Sequence, residues 1–369
     1  MITAFINATI FTGTEKISSK ALIIEDEKIK EIIDIESIPE EVTKIDCKDC
    51  IISPGLIDLQ IYGAGGYLFS NEPAAPALES MINSLLVTGT TGFFLTLATN
   101  SLEIFRKAIK VVKENPHPAL LGLHFEGPYI NPIKRGAHLI EYIKRPEKKE
   151  VEELLKEADG VLKMMTIAPE ICDAEIIKLL TDHNVIVSAG HSNATFEEAE
   201  TGFKNGITST THLFNAMSPF HHRGTGLPGA TFQSENVLAS IIADGIHVDY
   251  NTLSISKKIM KERLFLITDA VDENKEGAYI HVKQKDRFTL PDGTLSGSCL
   301  TLLQAVKNCV EQAGIPLDEA LRMASTYPAQ LMNAKDLGKI EPGYKANLTI
   351  FSRDYQPKYT VLNGKIMNN

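Results

Sequence analysis

Residues 184–195 read N-V-I-V-S-A-G-H-S-N-A-T, residues 196–206 read F-E-E-A-E-T-G-F-K-N-G, and residues 207–217 read I-T-S-T-T-H-L-F-N-A-M. An apolar, β-branched run ends in His191, a short amphipathic helix follows, and a second β-rich run ends in His212. This is a strand–helix–strand unit, and in a parallel sheet it puts both histidines at the same edge of neighbouring strands. The carboxyl edge of such strands is where α/β barrels gather their chemistry. Two imidazoles at matching strand ends form half of a metal site.

The same alternation extends outward. Apolar runs fall at Ile51–Ile61, Thr90–Thr99, Ala119–Phe125, Val161–Ala168, Asn184–His191, Ile207–Phe214, Val237–His247 and Leu264–Asp269. Helical patterns separate most of them, for example Leu102–Lys113, Glu147–Ala158 and Ala174–Asp182. Strands joined by crossover helices predict an α/β fold, a closed (β/α)8 TIM-like barrel. Residues 1–52 carry short strands with turns, and residues 343–369 have the same texture. Neither end can bury a core alone, so the two are expected to form one small β-sandwich domain flanking a barrel over residues 53–342. A hairpin insert is expected after Asp269, with runs at Tyr279–Val282 and Phe288–Leu290. Two helices, near Leu300–Ala313 and Leu317–Ser325, then lead out of the barrel.

Composition narrows the function. The 369 residues are 43% hydrophobic and 23% charged, ordinary for a globular chain. A net charge of −10 argues against a nucleic-acid partner. No apolar run is long enough to span a bilayer, and the first residues lack the pattern of a secretory signal. Five cysteines suit a reducing cytoplasm better than a disulfide framework. Cys47 and Cys50 form a lone C-x-x-C, read as packing or turn cysteines just before a strand.

Other strands also end in polar residues. Asp58 and Gln60 share a face of the first, His124 and Glu126 of the third, His247 follows the seventh, and Asp269 ends the eighth. A buried carboxylate is costly unless it meets a cation, a partner or water. The simplest reading is a hydrolytic divalent-metal site held by Glu126, His191 and His212, with an open position for water. Asp269 would accept a proton from that water and pass it to the leaving group. His124 reads instead as a barrel-interior histidine.

The runs P-G-L-I-D-L-Q (54–60), G-L-H-F-E-G-P-Y-I-N (122–131), R-G-A-H (135–138), A-G-H-S-N-A-T (189–195), T-H-L-F-N-A-M-S-P (211–219), A-D-G-I-H (243–247), I-T-D-A (267–270) and T-L-S-G-S (294–298) occur in order at fitting spacings. From about Ser53 onward the chain closely resembles the N-acetylglucosamine-6-phosphate deacetylase family of the amidohydrolase superfamily. The resemblance implies a metal-dependent hydrolase of amino-sugar catabolism or recycling. Such an enzyme removes acetate from N-acetyl-D-glucosamine 6-phosphate to give D-glucosamine 6-phosphate, metal-bound water attacking the acetamide carbonyl.

The resemblance also implies residue roles. Glu126, His191 and His212 become the metal ligands, and Asp269 the general base and then acid. Ala137 and His138 would meet the acetamide, and the His138 imidazole could donate to the developing oxyanion. Asn215 and Ala216 would reach sugar or phosphate oxygens. Arg223 would grip the phosphate, His247 would touch sugar or phosphate, and Leu295, Ser296 and Gly297 would close over the sugar. A homodimer is implied too, with a phosphate contact that could come from across the interface.

Many amidohydrolases carry His-x-His after the first strand, where this chain has Gln60 and Tyr62. Gln is a poor transition-metal ligand and Tyr a rare one. A single ion per subunit is therefore expected. Zinc is the first choice, with iron(II), manganese or cobalt suited to the same ligands. Two rivals remain: an amidohydrolase acting on a different amide, to which Arg223 would be of little use, and a non-catalytic sugar-phosphate sensor, which would not need Asp269.

Overall fold

The computed structural model describes residues 2–369. Eight parallel strands run in chain order around one sheet: Leu56–Ile61, Thr90–Ala98, Leu120–Glu126, Leu162–Ile167, Ile186–Ala189, Ser209–Thr210, Leu238–Ile242 and Leu264–Ile267. They are called here the first to eighth barrel strands. The eighth returns to the first through the Asp269 N–H to Gln60 carbonyl bond, 3.0 Å, and the Tyr62 N–H to Ala270 carbonyl bond, 2.9 Å. The (β/α)8 barrel expected from the alternation is therefore closed, with no free edge. Nearly every strand residue is buried, as strands covered on both faces require.

The expected run Ile51–Ile61 is two strands, not one. Cys50–Pro54 belongs to a six-stranded terminal sheet, and Leu56–Ile61 to the barrel. Gly55 sits between them. Periodicity cannot reveal this break, because both pieces are apolar.

The terminal sheets form as expected from both ends of the chain. Cys50–Pro54 pairs antiparallel with Leu348–Ser352, Ile52 opposite Ile350. A four-stranded sheet is built from Ile2–Ile6, Lys20–Glu25, Lys28–Asp34 and Thr43–Asp46. Phe5, Leu22 and Ile24 from that sheet share one buried core with Ile10, Ile52, Ile350 and Val361 from the other. The layers form a small β-sandwich. Cys47 is buried in this core, and the Cys50 N–H closes a turn onto its carbonyl at 2.9 Å. By compactness the chain divides into one unit of residues up to Asp58 with 83–92 and 301–369, and another of 59–82 with 93–300.

Within the second unit, local chemistry sets the strand ends. The helix Phe196–Lys204 starts on a capping box: Thr195 Oγ1 accepts from the Glu198 N–H, and Glu198 Oε2 accepts from the Thr195 N–H. The helix thus begins five residues after His191, which ends the preceding strand loop at a fixed point. A Cβ on Gly190 would lie 2.7 Å from Thr166 Cγ2 and 2.9 Å from Thr211 Cβ. Only glycine lets the fifth strand end between its neighbours and deliver His191 to the rim. His124 lies inside the barrel, Nδ1 3.0 Å from the Leu59 carbonyl and Nε2 2.7 Å from Thr166 Oγ1. After Asp269 the insert is a three-stranded sheet of Val282–Lys283, Arg287–Thr289 and Leu295–Ser298. No helix among the described residues is long and apolar enough to cross a membrane.

Candidate active site

Three strand ends converge on one point. Glu126 is the last residue of the third strand, His191 follows the fifth, and His212 follows the sixth. His212 Nε2 lies 3.0 Å from Glu126 Oε1 and 3.1 Å from His191 Nε2, and His191 Nε2 lies 3.3 Å from Glu126 Oε1. Metal bonds of about 2.0–2.1 Å in a tetrahedron hold their ligand atoms roughly 3.3–3.4 Å apart, so this triangle is close to one face of such a shell. All three side chains are buried.

The imidazole orientations agree with ligation. His191 Nδ1 lies 2.9 Å from the Lys134 carbonyl, which can only accept. The ring proton is therefore on Nδ1, and a lone pair on Nε2 faces the carboxylate. Such lone pairs repel unless a proton or a cation lies among them, and the donor set of two imidazoles and one carboxylate suits a divalent ion of borderline softness. His212 Nδ1 is buried without a hydrogen-bond partner among the described residues.

The remaining charges are set by burial and neighbours. Burial works to raise the Glu126 pKa, but His191 and His138 outweigh it and hold the carboxyl well below the usual range. Asp269 goes the other way: burial raises its pKa, and the Glu126 charge adds to that. Burial, then the Glu126 charge, push the Tyr62 phenol well above its ordinary value, so it remains a donor. Its hydroxyl donates to Glu126 Oε2.

Gln60 links the two carboxylates. Its Nε2 lies 3.0 Å from Glu126 Oε1 and 2.8 Å from Asp269 Oδ1. Both partners only accept, so the amide nitrogen, not the oxygen, must face them. Neither Gln60 nor Tyr62 thus turns a lone pair towards Glu126.

The backbone at these positions is strained. His191, His212 and Asp269 have φ of 46°, 35° and 55°. Left-handed geometry costs about 1 kcal/mol or more at a residue other than glycine, and it persists where the surroundings over-determine it. For Asp269 they do: its N–H is bound to the Gln60 carbonyl and its carbonyl to the Ser298 N–H, each at 3.0 Å. A Cβ on Gly297 would lie 2.7 Å from Val271 Cγ1, so glycine is what admits the strand Leu295–Ser298 against this segment.

One cavity of about 260 Å³ holds nearly all of the expected residues. Glu126, Ala137, His138, His191, His212, Asn215, Ala216, His247, Asp269, Leu295, Ser296 and Gly297 line it. The Thr99 N–H donates to His138 Nδ1 at 3.2 Å, leaving Nε2–H to donate to Glu126 Oε2 at 2.8 Å. Burial, then His191, bring its pKa down to about 4, so this imidazole is neutral. His247 Nδ1 lies 2.5 Å from Asp244 Oδ2, which leaves Nε2 as its second polar atom.

The long loop after the third strand is pinned to the site. The Asn131 N–H bonds the His191 carbonyl at 2.9 Å, and Lys144 N–H the Pro128 carbonyl at 3.1 Å.

Arg223 is not brought to this cavity. It lies in a separate depression with Asn193–Glu197, Ser218, Pro219, His222 and Gly224–Gly226, its Nε 3.1 Å from His222 Nε2. No lysine or arginine of the chain lines the cavity among the described residues. Sequence reasoning missed Leu68, Ser70, Ala98, Val271, Tyr279 and His281, which also line it. For Tyr279 and His281 a signal existed: Y-I-H alternates, and a two-residue period puts both on one face. His281 Nδ1 lies 2.8 Å from Ser296 Oγ.

The chain is similar to known proteins over nearly its whole length. Residues 51–367 match the amidohydrolase family, and residues 3–49 match the NagA composite domain. An N-acetylglucosamine-6-phosphate deacetylase of Haemophilus influenzae is 37% identical, with 99% of both chains covered. An N-acetylgalactosamine-6-phosphate deacetylase of a Shewanella species is 32% identical over 85% of this chain and 82% of that one. The crystal structure of the N-acetylglucosamine-6-phosphate deacetylase from Pasteurella multocida superposes with a TM-score of 0.96 at 36% identity, covering both chains fully. The protein is a hydrolase, and the chain belongs to the N-acetylglucosamine-6-phosphate deacetylase family of amidohydrolases.

Proposed function

We propose that the protein removes the acetyl group from N-acetylglucosamine 6-phosphate, giving glucosamine 6-phosphate and acetate. The observation that carries this reading is the meeting of Glu126, His191 and His212 beside Asp269 in one cavity. One divalent ion, zinc as first choice, would be held by Glu126 Oε1, His191 Nε2 and His212 Nε2, and would supply Lewis acidity and a more acidic water.

The side chains then divide the work. Asp269 takes a proton from the attacking water and passes it to the departing nitrogen, a role that its raised pKa favours. Gln60 holds that carboxylate in place through its 2.8 Å bond. His138 is neutral with its Nε2 proton on Glu126 Oε2, so its proposed role as oxyanion donor requires that proton to be shared with the acetamide oxygen as negative charge grows there. Asn215, the backbone of Ala137 and Ala216, His247 and Leu295–Gly297 orient the sugar.

Arg223 and His247 receive the phosphate in this reading. Arg223 is absent from the cavity of its own chain, so the reading requires a homodimer in which a second copy supplies it. A cytoplasmic enzyme is part of the same proposal and accords with five free cysteines.

The deciding experiment is acetate release from N-acetylglucosamine 6-phosphate by the metal-loaded protein, with Asp269→Asn as control. Retained metal with no turnover in the wild type would instead mark a sugar-phosphate sensor. Equal activity on unphosphorylated N-acetylglucosamine would remove the assignment of Arg223.

A further inference from the structure

The cavity has two chemically distinct sides. Around the barrel rim, the sixth and seventh strands contribute Asn215 and His247, both polar. The adjoining arc, beyond the eighth, first and second strands, contributes Tyr62, Leu68, Ala98, Val271 and Tyr279, which pack as one apolar cluster. Each of these five is at most 9% exposed.

This arc offers almost nothing to a polar group. The Tyr62 hydroxyl is held between Gln60 Nε2 and Glu126 Oε2. The Tyr279 hydroxyl donates to the Thr99 carbonyl at 2.5 Å. Both rings therefore turn only carbon to the cavity. Ser70 and His281 interrupt the wall: Ser70 Oγ already accepts from the Ala98 N–H at 3.3 Å, and His281, stacked on Tyr279, has Nδ1 2.8 Å from Ser296 Oγ.

The apolar arc also abuts the reacting groups. Ala98 is paired with Glu126 in the register of the second and third strands. Val271 lies two residues beyond Asp269, and the Tyr62 N–H is bound to the Ala270 carbonyl between them at 2.9 Å. A carbonyl carbon attacked between Glu126 and Asp269 carries three substituents: its oxygen, the sugar nitrogen and the acyl chain. A hydroxylated ring placed against the apolar arc would lose its hydrogen bonds to water without replacement. The ring must then lie on the His247 and Asn215 side, and the acyl chain points the other way.

We propose that Tyr62, Leu68, Ala98, Val271 and Tyr279 form a closed acyl pocket whose depth fixes the length of the acyl group removed. The proposal rests on the deacylase reading above. The wall is packed against its own neighbours rather than open to solvent, so each added methylene has to find room within it.

The test is an acyl series on glucosamine 6-phosphate: formyl, acetyl, propionyl and butyryl. Val271→Ala deepens the pocket and should raise kcat/KM for propionyl relative to acetyl by roughly tenfold, the scale on which one methylene is discriminated. Ala98→Val fills it and should shift preference towards formyl by about the same factor. Calorimetric binding of the series to the same variants in an Asp269→Asn background should follow the same order.

Unchanged acyl preference in both folded, metal-containing variants would overturn the proposal. So would a KM change equal for every acyl chain, which would put the sugar against this wall. A wild type that releases no acetate from N-acetylglucosamine 6-phosphate would overturn the deacylase reading itself, and the pocket with it.

Discussion

The side-chain nitrogen of Gln60 stands 2.8 Å from Asp269 Oδ1, joining the end of the first barrel strand to the end of the eighth. The same nitrogen is 3.0 Å from Glu126 Oε1, so one neutral amide separates two buried carboxylates. Their pKa values are displaced in opposite directions, Glu126 down and Asp269 up. Environments that push two acids apart suit the roles proposed for them, Glu126 as an ionised ligand and Asp269 as a proton carrier.

A pH prediction follows from the raised value of Asp269. In its proposed role as base it must be deprotonated, and a raised pKa means that it takes up its proton at a higher pH than an exposed aspartate. The acid limb of kcat/KM should lie above the ordinary aspartate range. Gln60→Glu puts a third carboxylate beside it and should move that limb further up. A limb unmoved in Gln60→Glu would mean that Asp269 is not the titrating base.

Asp269→Asn should lower kcat by about a hundredfold to ten-thousandfold, the usual worth of a positioned acid or base. Metal content should be unchanged, because Asp269 is not one of the three converging donors. Elemental analysis beside the acetate assay separates the two effects.

Metal analysis should give one ion per active chain, and chelation should abolish turnover. Gln60 turns a donor, not a lone pair, to the site, and the Tyr62 phenol is held protonated by burial and by the Glu126 charge. Two ions per active chain would show that one of these groups ligates after all.

Mixing two inactive variants tests the second copy. If Arg223 acts across an interface, a heterodimer of Arg223→Ala and Asp269→Asn chains contains one complete site. Random mixing in a two-fold dimer should then restore about a quarter of wild-type activity. If Arg223 acts within its own chain, the mixture stays inactive.

Asp244 positions His247. Its Oδ2 holds His247 Nδ1, and its Oδ1 accepts the N–H groups of Ile246 and His247 at 2.8 Å each. Burial opposes ionisation, yet the His247 contact outweighs it and the Asp244 pKa is lowered. Because the folded value is depressed, this contribution to stability is present above the ordinary aspartate pKa and is lost as pH falls through the folded one. Asp244→Asn should raise KM by about tenfold, with a smaller change in kcat, since partners behind a contacting group typically matter on that scale.

The sequence by itself determined the alternation of strands and helices, and with it the closed barrel and the sandwich made from both ends. Those patterns depend on periods of 2 and 3.6 residues, which are local. It also placed Glu126, His191, His212 and Asp269 at strand ends, because a polar residue that closes an apolar run stands out without any partner in view. It could not show that Ile51–Ile61 breaks at Gly55, since two abutting apolar strands have no contrast between them. Only the tertiary structure decided that Gln60 bridges Glu126 and Asp269, 66 and 209 residues away. Only it separated Arg223 from the cavity, and only it assembled Tyr62, Leu68, Ala98, Val271 and Tyr279 into one wall. The reason is physical: such residues are apolar or singly polar within their own segments, and their chemistry arises from neighbours that chain order does not bring near.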